Sequence, residues 1–379
     1  MTGANYGSFI VRKKELLLDN VLQVGQSFRW VYNESSQEYV TTMKISGQYH
    51  VVLLKQVELN QDDESDLKNT IVQYATLGDT CDSKSLESHL MDYFRMDVSV
   101  ENLYNKYWLP NDVRFKAHYP TGNRMLAQEP WETLVSFICS SNNNISRITK
   151  MCHELCRNFG TELKPEIDRD DTGSSHYTFP SSDDIVNKAT EDKLRELGFG
   201  YRAKYIMETA KLLVEQKKAN DFTDDSEYLL SVKDSSSYIE LREHLMGYTG
   251  VGPKVADCVC LMGFRHDDVV PVDVHISRIA KRDYKFQVNK KSMENLRKQY
   301  ASYPVTKKKI NLELDLIRVM FVKKWGKYAG WAQGILFSNE IGKSSGATTN
   351  GDVKKRQLEL DIQVKEETVE NSDKIKRKK

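Results

Sequence analysis

The chain has 379 residues, enough for two or three folded cores at the usual size of roughly 100–200 residues per domain. Hydrophobic residues make up 39% and charged residues 29%, and no apolar run reaches the ~18 residues of a membrane span, which argues against a transmembrane protein. The net charge is only +1, yet residues 241–338 hold 18 Lys and Arg against 9 Asp and Glu. This local surplus fits either a polyanion-binding face or an ordinary solvated surface.

The N-terminal residues and the cysteines predict an intracellular, reducing location. Residues 1–20 lack the positively charged start and apolar core of a secretory signal. The six cysteines include no Cys-x-x-Cys pair, and their spacing fits neither a zinc site nor a four-cysteine iron–sulfur cluster. We therefore expect buried, reduced thiols, no iron–sulfur cluster and no membrane partner.

The first third of the chain predicts an antiparallel sheet. Segments rich in β-branched and aromatic residues occupy 28–33, 38–45 and 49–56, within a stretch that is extended from Tyr6 to about Val57. A short turn containing Gly47 joins the last two segments as a hairpin. An acidic loop at 61–66 follows, and helices are predicted at 85–97 and 100–109.

After residue 120 the pattern becomes helical. Pro130 starts one helix and Gly160 ends another, whose apolar residues recur at helical spacing from Ile145 to Leu155. A polar loop covers 163–185. Further helices are predicted at 191–198, 201–217, 238–247, 253–262, 273–283, 311–326 and 331–338.

These patterns predict an α+β chain in three parts. Residues 1–122 form an N-terminal antiparallel sheet domain with helices, and residues 123–338 form an all-α core. Residues 339–379 are polar and poor in large apolar residues, so they form a disordered tail. The basic ends of that tail fit nuclear import signals or plain solvated chain.

Residues 247–262 read GYTGVGPKVADCVCLM and predict a helix, a tight glycine hairpin and a second helix. Gly250 and Gly252 can adopt positive φ, and Pro253 fits a first helical turn because its missing N–H would be unpaired there. Free amides at the start of the second helix favour a phosphate. The positive helix end and apolar neighbours favour a neutral, nucleophilic amine on Lys254, and Cys258 falls on the same face one turn later.

Asp273 follows Lys254 by nineteen residues, at the start of another helix. Residues 270–275 read VPVDVH, an extended entry that Asp273 caps. Taken alone, Asp273 fits a helix cap and Lys254 fits an ordinary surface lysine. A reactive amine beside a phosphate-binding hairpin, followed by a carboxylate, instead predicts covalent chemistry on nucleic acid.

Residues 250–262, followed by 270–284, resemble the helix-hairpin-helix DNA glycosylases. Runs at 25–30, 126–148, 197–206 and 328–338 are similar to the fungal branch of the eukaryotic 8-oxoguanine DNA glycosylases. The resemblance covers about residues 8–338, and several long motifs in one order make it specific. It implies a bifunctional base excision repair enzyme. Such an enzyme excises 8-oxoguanine and related oxidised purines, such as formamidopyrimidine-guanine, opposite cytosine, and then nicks the abasic strand.

The resemblance implies two catalytic residues. Lys254 matches the nucleophile that attacks the sugar C1′, expels the base and leaves a Schiff base. That imine acidifies the C2′ hydrogen, so β-elimination cuts the strand on the 3′ side. Asp273 matches the carboxylate that stabilises the developing positive sugar and orients its helix.

Base recognition is implied for four residues. The Gly25 carbonyl matches the acceptor for the N7–H that oxidised guanine has and normal guanine lacks. Cys258 and Phe337 match the pair that sandwiches the flipped base, and Gln333 matches the residue that bonds its Watson–Crick edge. Without the resemblance, Cys258 and Phe337 would fit ordinary core residues. Gln333 would then fit a helix surface residue, and Gly25 would fit a turn.

DNA contacts are implied around the lesion. Asn142, Arg147 and Arg202 match residues that read the orphaned cytosine. Tyr201 matches the wedge that fills the gap, and His275 matches a phosphate contact. The hairpin glycines, Gly250 and Gly252, complete the implied DNA-binding set.

The expected partner is duplex DNA containing 8-oxoguanine opposite cytosine, bound by a monomer in the nucleus, with mitochondria as a second compartment. No cofactor is expected. Hairpin carbonyls in this superfamily sometimes hold a metal ion. The hairpin here begins Tyr248-Thr249-Gly250 where Leu-Pro-Gly is frequent, so no metal site is predicted.

Three alternatives follow from the same residues. A monofunctional glycosylase would activate water through Asp273 and leave Lys254 idle. A non-catalytic helix-hairpin-helix protein would bind DNA only, although retention of both residues argues against it. A thymine-glycol type of lyase would carry an iron–sulfur cluster, which the cysteine spacing opposes.

Overall fold

The computed structural model describes residues 6–59, 69–78, 81–118, 120–164 and 175–344. Contacts divide the chain into two units, Met1–Ile335 and Leu336–Lys379. The last helix runs to Ser344, so residues 339–344, assigned above to the tail, are helical. The rest of the predicted tail lies outside the described residues. The boundary expected near residue 122 stays a prediction.

Five strands form one antiparallel sheet in the order β1-β5-β4-β3-β2. The hairpin predicted around Gly47 is present, with Ile45 opposite Gln48 in the register. A second, two-stranded sheet pairs β6 with β7. The strands are β1 Gly7–Arg12, β2 Val31–Asn33, β3 Glu38–Ile45, β4 Gln48–Glu58, β5 Asn69–Thr76, β6 Glu162–Leu163 and β7 His176–Tyr177.

Both faces of the central strand β4 are covered. Val52 and Leu54 point to one side and join the large core formed with the first helix. Val51 and Leu53 point to the other side and pack against Leu163 of β6. Because neighbouring residues of a strand face opposite ways, the continuous apolar run in β4 reflects burial on both faces.

The remaining elements are helices. Those of the N-terminal part are α1 Ser83–Tyr93, α2 Val100–Leu103 and α3 Leu109–Asn111, with a π-helical turn at Tyr104–Trp108. The next are α4 Pro130–Cys139, α5 Ile145–Phe159, α6 Ser182–Lys188, α7 Glu191–Glu196, α8 Arg202–Ala219, α9 Asp225–Asp234 and α10 Tyr238–Gly247. The last are α11 Pro253–Met262, α12 Val274–Asp283, α13 Lys290–Gln299, α14 Pro304–Lys309, α15 Leu312–Trp325 and α16 Ala329–Ser344. Short 3₁₀ turns occur at Leu18–Asn20, Val113–Ala117, Tyr300–Ser302 and Gly326–Tyr328. The α+β fold class is confirmed.

Helix α11, which carries Lys254, is buried along nearly its whole length and packs against α4 and α10. A buried ion-pair network fixes it. Asp257 of α11 accepts from Arg242 of α10 at 3.0 Å, and Arg242 also bonds Asp315 of α15 at 2.8 Å. Arg318 donates to the same Asp315 at 2.9 Å. The charges are therefore paired inside the core, as buried ions require.

Ion pairs also join the N-terminal sheet region to the helices that follow it. Arg29 donates to Glu132 of α4 at 2.8 Å, and Arg95 makes a two-pronged contact with Asp267 at 3.1 Å for each bond. Asp267 in turn accepts from the Trp331 indole of α16 at 2.8 Å. The loop after α11 and the start of α16 are thereby held against the N-terminal part of the chain.

Candidate active site

A tight hairpin separates α10 from α11, as predicted from its glycines. Gly250 has φ +82°, a conformation that side chains with a Cβ rarely adopt. A Cβ there would lie 2.5 Å from the Tyr205 ring, so the hairpin approaches α8 directly. Gly252 is the N-cap of α11, and no side chain caps the helix there. The first amides of α11 are thus left for another acceptor.

Lys254 lies half-buried in the first turn of α11, facing the end of α4. Its Nζ donates to Ser140 Oγ at 3.3 Å and lies 4.9 Å from the centre of the Phe137 ring. The amine is therefore held between a hydroxyl and an aromatic face rather than extended into solvent.

Cys258 lies one turn after Lys254, with 3% of its surface exposed. Burial raises the pKa of its thiol to about 11; the nearby Lys254 opposes this rise, and the charges of Asp257 and Asp273 add to it. The thiol stays protonated near neutral pH, and both Lys254 and Asp273 lie within electrostatic reach of it. The two residues predicted to be catalytic are thus brought to the same small neighbourhood.

Asp273 caps α12 as the sequence predicts. Its Oδ1 accepts from the amide of Ile276 at 2.9 Å, and the residue is half-buried. Within the described ranges, Oδ2 accepts no hydrogen bond. Capping therefore fixes the orientation of the carboxylate and leaves one oxygen for a substrate. His275 lies half-buried two residues later.

The Gly25 loop is tied to the far end of α11. Gly25 has φ +85°, and a Cβ there would lie 3.0 Å from Ile145 at the start of α5. The Gln128 side chain donates to the Gln26 carbonyl at 2.7 Å, and the backbone N–H of Gln128 donates to the Met262 carbonyl at 2.9 Å. One residue therefore links the glycine loop with the last residue of the lysine helix.

Gln333 lies on α16 with 8% of its surface exposed. Its side-chain amide makes no hydrogen bond to any residue in the described part of the chain, and its polar atoms are not enclosed, so they remain available to a ligand. A Cβ on Gly330 would lie 2.4 Å from Leu261 of α11, so the start of α16 packs directly on the lysine helix. Phe337 belongs to the second unit, and its role at the base stays a prediction.

The residues predicted to read the opposite strand cluster around the loop between α4 and α5. Tyr201 donates its hydroxyl to the Ser141 carbonyl at 2.9 Å and is 44% exposed. Arg202 donates to the Asn142 carbonyl at 2.9 Å, and Arg147 donates to the Gly198 carbonyl at 3.2 Å. Asn142 itself has φ +49°. Backbone bonds thus hold four predicted residues in one connected patch.

Comparison with known proteins identifies the family. Residues 8–134 match the 8-oxoguanine DNA glycosylase N-terminal domain, and residues 135–302 match the HhH-GPD superfamily of base excision DNA repair proteins. An N-glycosylase/DNA lyase of Saccharomyces cerevisiae is 54% identical over 94% of this chain and 91% of its own length. The chain belongs to the N-glycosylase/DNA lyase family.

Two further comparisons agree. N-glycosylase/DNA lyase OGG1 of Arabidopsis thaliana is 33% identical over 86% of this chain and 78% of its own length. A solved structure of MBOgg1 in complex with a low-affinity DNA ligand superposes with a TM-score of 0.64 at 27% identity, covering 89% of this chain and all of that one. The family resemblance drawn from the motifs is confirmed, and the protein is a bifunctional glycosylase and lyase of base excision repair. In the described part of the chain, no helix is both long and apolar enough to cross a membrane.

Several residues in the site of this glycosylase were not predicted from the sequence. Ser140 contacts the lysine amine, Gln128 links two segments of the site, and Tyr205 lies under the hairpin. Lys309, at the end of α14, donates to the carbonyls of two residues around the hairpin. Their signals are weak because each lies far in sequence from the motif that it contacts. Lys309 in particular belongs to a run of three lysines that reads as general surface charge.

Proposed function

We propose that this glycosylase excises 8-oxoguanine paired with cytosine in duplex DNA, and then cleaves the strand through Lys254. The proposal depends on one observation: the half-buried Lys254 amine and the Asp273 carboxylate both act electrostatically on the same residue, Cys258. In the described part of the chain, one oxygen of that carboxylate accepts no hydrogen bond. The damaged nucleotide must leave the duplex to reach this neighbourhood, at a cost of a few kcal/mol in lost stacking.

The proposed chemistry begins at the sugar. The Lys254 amine forms a bond to C1′ while the bond from C1′ to the base breaks, and the base leaves with that electron pair and gains a proton. The Asp273 carboxylate stabilises the positive charge that develops on the sugar. Opening of the sugar ring gives an imine between Nζ and C1′. Loss of a C2′ proton then expels the 3′ phosphate, which nicks the strand.

Base selection is proposed to depend on the Gly25 carbonyl. It would accept the N7–H of oxidised guanine, whereas normal guanine presents a lone pair at N7 and is repelled. Gln333 would bond the Watson–Crick edge, and Cys258 with Phe337 would contact the base faces. Support comes from the Gln333 side-chain amide, which bonds no residue in the described part of the chain, and from the protonated, apolar state of the Cys258 thiol.

The hairpin and the patch around Asn142 are proposed to hold the DNA. Amides at Gly250 and Gly252 would contact a phosphate at the start of α11, with His275 contacting another. Tyr201 would fill the gap left by the flipped base, and the residues Asn142, Arg147 and Arg202 would read the orphaned cytosine. The connected hydrogen bonds of this patch and the exposure of Tyr201 support this role.

The test is Lys254→Gln, assayed on an 8-oxoguanine·cytosine duplex for base release, strand nicking and borohydride trapping. All three are expected to disappear while duplex binding is kept. The matched variant is Asp273→Asn, because asparagine caps helices as well as aspartate and only the charge is lost. Its excision rate is expected to fall on the order of 100-fold with an unchanged melting temperature.

Two results would contradict this assignment. A covalent adduct that still forms with Lys254→Gln would mean that another amine is the nucleophile. Base release by the unaltered enzyme without any adduct would favour the monofunctional alternative, in which Asp273 activates water.

We further propose that the enzyme works as a monomer in the nucleus, with a second pool in mitochondria. Repair of genomic DNA requires nuclear entry, and the basic ends of the C-terminal segment supply import signals of the usual composition. Sedimentation of the purified protein tests the monomer. Fractionation of cells expressing a tagged chain tests both compartments.

A further inference from the structure

The ammonium group of Lys309 binds the back of the hairpin. Its Nζ donates to the Met246 carbonyl at 2.5 Å and to the Val251 carbonyl at 3.0 Å. Met246 belongs to the last turn of α10, and Val251 lies inside the hairpin. One side chain from α14 therefore joins the end of the first hairpin helix to the turn that precedes the second.

Both carbonyls need a partner. The last carbonyls of a helix have no amide to accept from, and the negative end of the helix dipole favours a cation there. Val251 is buried, so its carbonyl would otherwise be deprived of water. An ammonium offers three donors and a full positive charge, which suits two convergent carbonyl oxygens.

The short helix α14 is fixed so that its last residue reaches the hairpin. Both oxygens of Glu243, on α10, accept amides at the start of α14: Val305 at 2.8 Å and Thr306 at 2.6 Å. Thr306 is fully buried. Lys309 then lies at the end of α14. Lys309 and Lys308 are both exposed as whole residues, but only the Nζ of Lys309 donates to the two carbonyls.

Although the Lys309 residue is exposed as a whole, its Nζ end lies against the two hairpin carbonyls. Burial, together with the charge of Lys308, lowers the pKa of Lys309, and Glu243 opposes this effect. A metal ion at the same carbonyls would have to displace an attached cation of the protein. The residues present therefore do not fit a hairpin-bound metal at Met246 and Val251.

We propose that the Lys309 ammonium is a built-in cation that holds the hairpin in its DNA-binding shape, in place of a bound metal ion. This inference rests on the proposed binding of DNA by the hairpin. Lys309 acts as a positioning residue: it fixes the turn that carries Gly250 and Gly252, and it contacts no substrate itself.

The test compares Lys309→Met with Lys308→Met. Each variant loses one positive charge from α14, but only Lys309→Met loses the bonds to the hairpin. Binding to the 8-oxoguanine·cytosine duplex is measured at one ionic strength in potassium chloride and in tetramethylammonium chloride, because the organic cation is too large to enter between the carbonyls. Thermal melting of all three proteins checks that each is folded.

The expected result is a cation requirement that appears only in Lys309→Met. In tetramethylammonium chloride this variant should bind about tenfold more weakly than Lys308→Met, since two charge-assisted hydrogen bonds are lost. Potassium should restore most of that loss by binding the vacated carbonyls. The unaltered protein and Lys308→Met should each show the same affinity in both salts, within about twofold.

Three outcomes would overturn the inference. Equal losses in the two variants, in both salts, would make Lys309 an ordinary surface charge. A potassium requirement in the unaltered protein would show that the hairpin holds an ion after all, and this arm needs no variant to fold. Full affinity of Lys309→Met in both salts would show that the hairpin keeps its shape unaided. If the unaltered protein failed to bind the duplex in either salt, the proposed function itself would be wrong.

Discussion

Replacing Gly250 with alanine should destabilise the hairpin because of two local effects. At φ +82° a Cβ costs about 1–2 kcal/mol from its contact with the backbone. The new Cβ would also lie 2.5 Å from the Tyr205 ring, which must move by about 1 Å to reach ordinary contact. Overpacking of this kind costs about 1–3 kcal/mol, so the free energy of unfolding should fall by about 3 kcal/mol in total.

Two other glycines serve as controls in the same urea-unfolding assay. The Cβ of Gly247→Ala meets no atom of the described residues within 4 Å at the end of α10. The better helix propensity of alanine should leave stability unchanged or raise it by up to about 1 kcal/mol. Gly252→Ala has open space and φ −104°, so its effect should stay within about 0.5 kcal/mol. Equal stability of Gly250→Ala and Gly247→Ala would refute the reasoning.

The effect of Gly250→Ala on function should follow the displaced ring. Tyr205 lies 5.4 Å from the Tyr201 ring, and Tyr201 is bonded to the loop that precedes Asn142. We expect duplex affinity to fall by about tenfold, while Gly247→Ala binds as the unaltered protein does. Unchanged affinity in a destabilised Gly250→Ala protein would separate the hairpin from the patch around Asn142.

The remaining predictions concern three buried groups. Gln333→Leu should keep or slightly raise the melting temperature, because the amide has no partner to lose, yet it should slow excision by about tenfold or more; an unchanged rate would remove Gln333 from base recognition. Asp315→Asn should lower the free energy of unfolding by about 3–5 kcal/mol, since it removes the carboxylate that Arg318 bonds in the core and leaves Arg242 with Asp257 alone. Burial alone would raise the pKa of Asp315, but the two guanidinium groups lower it to about 2. The stabilising contribution of Asp315 should therefore be complete above about pH 4 and be lost as the pH falls through 2. An Asp315→Asn protein with the same acid sensitivity as the unaltered protein would contradict this. Cys258, whose thiol pKa is raised to about 11 mainly by burial, should resist alkylation at pH 8 in the folded protein, and rapid labelling seen by mass spectrometry would show a more open site.

Strands with a strong alternation of apolar and polar residues were predicted from the sequence. Strands whose position depends on pairing with other strands were missed or given wrong bounds. Residues 38–45 form β3 with the predicted bounds. Of the predicted strand 28–33, only Val31–Asn33 is a strand, because pairing with β3 begins at Val31 and residues 28–30 turn into the core. Strand β5 was not predicted: it follows an acidic segment, and its pairing on both sides, with β1 and β4, supplies the stability that local pattern does not show.

Two helices rich in charged residues, α13 and α14, were also not predicted from the sequence. Helix α13 carries few apolar residues, and it forms around an Asn289 cap and the packing of Leu296 against Leu316. Helix α14 depends on Glu243, which caps it from a different helix. Local periodicity contains neither contact, and neither helix was predicted from the sequence.

For the candidate site, sequence reasoning reached what lies within one helix or at its cap. The neighbourhood of Lys254 and Cys258 follows from their four-residue spacing, and the Asp273 cap follows from its extended entry. The contact of Lys254 with Ser140 joins residues 114 positions apart, and no local pattern encodes such a contact. The same holds for Gln128, whose bonds to Gln26 and Met262 span more than 100 residues each way.

Gln128 also fixes the position of the Gly25 loop relative to the end of α11. Its side chain donates to Gln26, and its backbone N–H donates to Met262. These two hydrogen bonds hold the Gly25 loop and the end of the lysine helix at a constant separation. Under the proposed roles, Gln128 thereby aligns the carbonyl that selects the base with the helix that carries the nucleophile.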